Sequence, residues 1–173
     1  MRKFLKLAIA LILITTIVMS TSSCGLLMIG LLSGGLDDSD SHRIAAEEFY
    51  ELVNESKGHL DTLAGDVLNN WYSCIYDDAY NNNIDKAIEA AFTENSEIVN
   101  SIYENDKRIT ELYRELNSGG EFWSEAYDTT LAYNTYYTAV MNVSNKTYDF
   151  YLENVQEADY ALSVELKKFQ AEF

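Results

Sequence analysis

The chain has 173 residues, no proline and only eight glycines, so it has room for one domain built from few, long elements, most simply helices. Thirteen tyrosines, seven phenylalanines and two tryptophans exclude a disordered chain. Arg2, Lys3 and Lys6 are the only charges before Asp37; beyond them nine bases face 28 acids, and this net charge of about −19 excludes nucleic acid as a partner and holds the body off anionic lipid headgroups.

The first element is a leader. A basic stretch at 2–6 precedes the apolar run Leu7 to Met19, then Ser20, Thr21, Ser22, Ser23 and Cys24. That order is the layout of a secretory signal peptide. "TSSC" resembles the lipobox of bacterial lipoprotein precursors, with Ser22 and Ser23 at the small positions and Thr21 where leucine is usual. The resemblance covers about the first 24 residues. It implies a signal peptide at 1–23, cleavage before Cys24, palmitate-type acyl chains on Cys24, and retention in a bacterial cell envelope with the acidic domain outside the cytoplasm. Acyl chains contribute about 0.8 kcal/mol per buried methylene, so several anchor firmly. The alternative is an uncleaved transmembrane helix, because Leu7 to Leu32 carries no charge and about 20 apolar residues span a bilayer. Both readings keep the basic residues inside. Residues 24–40, with the apolar "GLLMIGLLSGGL", form the tether or the outer end of that span.

A helical body is expected over 41–173, in three helices at about 41–76, 84–117 and 121–170. In the first, Phe49, Val53, Leu60, Leu63, Val67, Trp71 and Cys74 recur at spacings of three, four and their sums. Gly58 and Gly65 inside that run suggest a kink or a close helix approach. Cys74 should sit about 50 Å along this helix, too far to pair with Cys24, and reads as a small buried apolar group. "DDAYNNN", residues 77–83, breaks the pattern.

The second helix carries the cleanest seam: Ile84, Ile88, Ala91, Asn95, Ile98, Ile102, Asn105, Ile109, Leu112 and Leu116 alternate four and three. Asn95 and Asn105 interrupt it as polar residues that set register, or as a polar ligand site inside the bundle. "NSGG", residues 117–120, ends the helix, and Ser118 with Glu121 has capping-box spacing. The third helix takes Trp123, Tyr127, Thr130, Asn134, Tyr137, Met141, Tyr148, Tyr151, Val155, Leu162, Leu166 and Phe169 as its stripe, with a phase slip after Met141 that implies curvature. At about 75 Å it outruns the others. The expected fold is therefore all-α: an elongated, antiparallel three-helix coiled-coil-like bundle after an N-terminal hydrophobic leader.

No catalytic or metal-binding pattern stands out in the sequence. His42 and His59 have no acid three residues before them, as di-iron bundles need, and no second histidine or thiolate at zinc spacing. No EF-hand loop, haem signature or phosphate loop occurs. No enzyme activity, cofactor or metal is expected. "AYNTYYTAVMNVSNKTYDFY", residues 132–151, offers Tyr133, Tyr136 and Tyr137 as a binding surface; the competing reading makes Tyr137, Tyr148 and Tyr151 core, with Tyr133 and Tyr136 at its margin. The expected function is a membrane-anchored lipoprotein with a structural or protein-interaction bundle, engaging an envelope partner or itself. The alternative is a ligand-binding sensory bundle on an uncleaved anchor.

Overall fold

The computed structural model describes residues 38–118 and 121–172. The leader, Cys24 and the tether up to residue 37 lie outside the described residues. Every regular element that is described is helical, with no strand: α1 (Asp38–Tyr76), a short 3-10 turn (Ala79–Asn82), α2 (Ile84–Glu94), α3 (Ser96–Leu116), α4 (Trp123–Met141) and α5 (Tyr148–Gln170). None of these helices is long and apolar enough to cross a membrane.

Helix α1 carries a continuous apolar stripe that the other helices cover. All seven residues of the expected stripe, from Phe49 to Cys74, are buried. The glycines do not interrupt it: the helix is continuous over its 39 residues, and nothing lies within 4 Å of where a Cβ would stand at Gly58 or Gly65. Neither residue serves a kink or a close approach. Gly58→Ala and Gly65→Ala should therefore each stabilise the fold by about 0.5–1 kcal/mol, and chemical denaturation of the double variant should give nearly their sum. A loss of stability would mean that something not yet placed touches those positions.

The chain leaves α1 through left-handed backbone, with Asp78 and Tyr80 both at φ 54°, Asn81 at 54° and Asn82 at 56°. Aspartate and asparagine tolerate that region, so "DDAYNNN" turns the chain without a glycine. Asn83 then caps α2, its Oδ1 accepting the Lys86 N–H at 3.2 Å. The expected second helix is kinked at Asn95, which divides α2 from α3. Asn95 donates through Nδ2 to Asp66 on α1 at 2.8 Å and to its own Ala91 carbonyl at 2.9 Å. That double contact pins the register of α2–α3 against α1, the structural role open to a polar seam residue. Lower down, Arg108 forks onto Glu48 at 2.7 and 2.8 Å. Both side chains are largely solvated, so this pair contributes at most about 1 kcal/mol.

The third helix of the expectation is two. Residues 142–147 interrupt it, and α5 runs back along α4. The break needs neither proline nor glycine: Asn145 takes φ 62°, and Thr147 caps α5 by accepting the Phe150 N–H at 3.3 Å. The Tyr151 hydroxyl donates to the Val140 carbonyl at 3.2 Å and closes the hairpin. The phase slip after Met141 thus marks a reversal rather than curvature. The surplus length is absorbed by the hairpin, and the three-helix arrangement gives way to four arms. The capping box is also not made: Phe122 precedes α4 without a side-chain cap, and the Ser118 hydroxyl donates backwards to the Glu115 carbonyl at 2.7 Å.

Cross-links give the directions of the arms. Glu48 meets Arg108 and Asn70 meets Ala87, so α2–α3 descends as α1 rises. Tyr136 meets Asp61, while Phe122 and Phe49 both pack on Phe169, so α4 rises with α1. Asp159 meets Lys57 and Tyr151 meets Trp71, so α5 descends. Helix α1 lies against all the others and supplies the largest part of the core.

Candidate interaction surface

The side chains of α4 determine which surface is free. Its buried residues are Ala126, Thr129, Tyr133, Tyr136, Ala139 and Val140. Trp123, Tyr127 and Leu131, spaced by four, stand on the outside at 47%, 47% and 58% exposure. The expected stripe is therefore rotated by about one residue, or 100°. Tyr133 and Tyr136, offered as binding surface, are 0% and 1% exposed and belong to the core; Tyr137 is half-buried. Large rings stand on both sides of this helix, so spacing alone does not fix which side is buried.

Burial forces the hydroxyls of these tyrosines to find partners. Tyr136 donates to Asp61 Oδ1 at 2.5 Å, and Lys57 bridges Asp61 at 2.8 Å and Asp159 at 2.5 Å. Lys57 also lies 5.9 Å from the Tyr136 ring centroid. Burial alone would lower the Lys57 ammonium, yet its bonds to Asp159 and Asp61 and their charges lift it above its ordinary value. This network ties α1, α4 and α5 together.

A second polar layer lies between α1, α3 and α4. Burial raises the Tyr133 phenol, and the Asp106 carboxylate beside it raises it further, while Ser56 works against both. Burial likewise raises the Asp106 carboxyl, opposed by the Tyr133 hydroxyl. Ser56 Oγ, Thr129 Oγ1, Asn105 Nδ2 and the Tyr133 hydroxyl are buried without an aligned hydrogen bond. Asn105 is thus in the seam but, unlike Asn95, is not tied across it. No group of three or more metal-ligating side chains is gathered among the described residues. Cys74 is buried with a free thiol.

The external face of the α4–α5 hairpin is shallowly concave. A groove of about 640 Å³ runs between the two helices from Leu131 to Asn142 and Phe150, with Ala139, Ala158 and Ala161 at its base. A smaller depression lined by Asp128, Leu131, Ala132 and Glu165 adjoins it at Leu131. Trp123 and Tyr127, with ring centroids 5.9 Å apart, continue the α4 wall beyond Leu131. Phe150 stands exposed at the other end. An apolar ridge of this kind beside a trough of small residues takes no part in the core. A lesser patch lies at the end of α1, where Tyr72, Ile75 and Tyr76 are exposed and the two tyrosine rings stand 4.5 Å apart.

The groove was not foreseen. Its signal was present in Trp123, Tyr127 and Leu131 at i, i+4 and i+8, but those residues read equally well as core. Compared with protein-family models, curated proteins and solved structures, the chain matches none of them.

Proposed function

We propose that this chain is an exported lipoprotein of a bacterial cell envelope, anchored through Cys24, whose helical bundle is a structural or protein-interaction module. The observation that carries the interaction role is the exposed Trp123–Tyr127–Leu131 ridge beside the α4–α5 groove. Tryptophan and tyrosine dominate binding hot spots, and a domain this acidic keeps large apolar side chains in solvent at a cost to its solubility. The leader and "TSSC" support export and lipidation. The regular seam from Ile102 to Leu116, buried against α1, supports coiled-coil-like packing for that pair of arms.

Intact mass of the membrane-extracted protein tests the anchor: residues 24–173 plus acyl chains are expected, and the full unmodified chain would refute lipidation. A photo-reactive phenylalanine analogue at Leu131 tests the interaction. It should give a discrete cross-linked species in native membranes, whereas the same analogue at exposed Glu97 on α3 should give none. Equal labelling from both positions would count against a dedicated surface. A second reading, a ligand-binding sensory bundle on an uncleaved anchor, draws on the buried and unaligned Ser56, Asn105, Thr129 and Tyr133. A rise in melting temperature with an amino acid, organic acid or sugar would favour it over the first.

A further inference from the structure

We infer that the α4–α5 groove receives a basic amphipathic helix of a partner protein, about five turns long; this rests on the interaction reading above. The groove is bounded by two helices whose backbone groups are internally bonded, so no free edge is available to pair with an extended strand. An alanine base beside a bulky wall suits ridge-into-groove packing, in which a third helix lies about 8–10 Å from each neighbour. From Trp123 to Asn142 the wall measures about 28 Å at 1.5 Å per residue, which sets the length of the occupant.

Charge selects its character. Three carboxylates, Asp128, Glu157 and Glu165, line the two depressions, against the single base Lys146. Lys146 is already engaged: its Nζ donates to the Ala139 carbonyl at 3.3 Å and sits 5.5 Å from the Tyr151 ring centroid. Glu165 is paired with Lys168 at 2.7 Å, and Asp128 also acts on that lysine, but Glu157 forms no ion pair. The whole chain carries −16. A second copy would bring the same acids against this face and be repelled, whereas a helix with leucine-like residues inward and lysine or arginine on its flanks meets both requirements.

The test uses the full chain in zwitterionic nanodiscs, with empty discs as blank, and two synthetic 18-residue peptides. Both have a leucine face; one carries lysine on its flanks and the other glutamate. Trp123 is the reporter, because Trp71 is buried. The lysine peptide should shift its emission, and the glutamate peptide should bind at least about tenfold more weakly at low salt. Asp128→Lys with Glu157→Lys, both at exposed positions, should reverse that preference without loss of helicity. Equal affinity of the two peptides, no reversal in the double variant, or a dimer mass without peptide would overturn the proposal. Discrete cross-linking at Leu131 alongside any of these outcomes would leave the interaction role standing and reject only the basic helix.

Discussion

Tyr136→Ala should cost the bundle about 3–5 kcal/mol, while Tyr136→Phe should cost about 1–2 kcal/mol. The alanine variant loses a fully buried ring and opens a cavity between α1, α4 and α5. It also removes the donor to Asp61 Oδ1. The phenylalanine variant keeps the packing and loses only that hydrogen bond, and the partly solvated Asp61 retains Lys57. Urea denaturation of the two variants separates ring from hydroxyl. A double-mutant cycle with Asp61→Asn should show a coupling that Tyr160→Phe, at an exposed position, lacks. If Tyr136→Ala changed stability by less than about 1 kcal/mol, the ring would not be in the core, and the phase of α4 given above would fail.

Alkaline pH should unfold the protein cooperatively. Burial foremost holds the phenols of Tyr133, Tyr136 and Tyr151 above their ordinary value. The Asp61 carboxylate lifts Tyr136 further, because it accepts a hydrogen bond from the neutral phenol and its charge disfavours the phenolate. Such a group contributes stability that is intact below the unfolded value, about pH 10, and is lost as pH rises, because only the unfolded chain releases the proton. Each tyrosine then removes about 1.4 kcal/mol per pH unit, and three remove about 4. Tyr137, half-buried and pushed up to about 12 chiefly by burial, adds less because solvent screens it. A domain with about 5–15 kcal/mol of stability should therefore lose its helix signal at about pH 11–13. Tyrosinate absorbance should rise in two waves, the second coincident with loss of helicity. A single wave near pH 10 with helicity intact would contradict the burial of these rings.

Helix α1 was legible because its stripe from Phe49 to Cys74 keeps helical spacing throughout, even though Ile44, Tyr72, Ile75 and Tyr76 lie outside it. The seam of the second arm was legible from Ile102 onward for the same reason; above it, Ala87 and Ala91 are buried while Ile84 is exposed. Asn95 could be recognised as a register residue, but its Asp66 partner, 29 positions away, could not. Helix α4 defeated periodicity because it is apolar nearly all round. Phe122, Tyr133 and Tyr136 point inward and Trp123, Tyr127 and Leu131 outward, so local spacing fits two phases equally. Contacts distant in sequence, such as that of Tyr136 with Asp61, decide between them. The hairpin at 142–147 was hidden for a related reason. Its turn is made by asparagine in the left-handed region and a threonine cap, which are weaker marks than glycine or proline. The groove follows from both, since it exists only if α5 folds back along the outer side of α4.

The packing of Phe169 on Phe49 and Phe122 bears on the order of events during synthesis. The first arm leaves the ribosome with its greasy side uncovered; the second arm covers much of it, while the end at Phe49 stays open until the last arm has been made. A growing chain of this design seals that end only after almost every residue has been made. Under the export proposed above, such late closure would leave the chain open to passage through a narrow pore before folding.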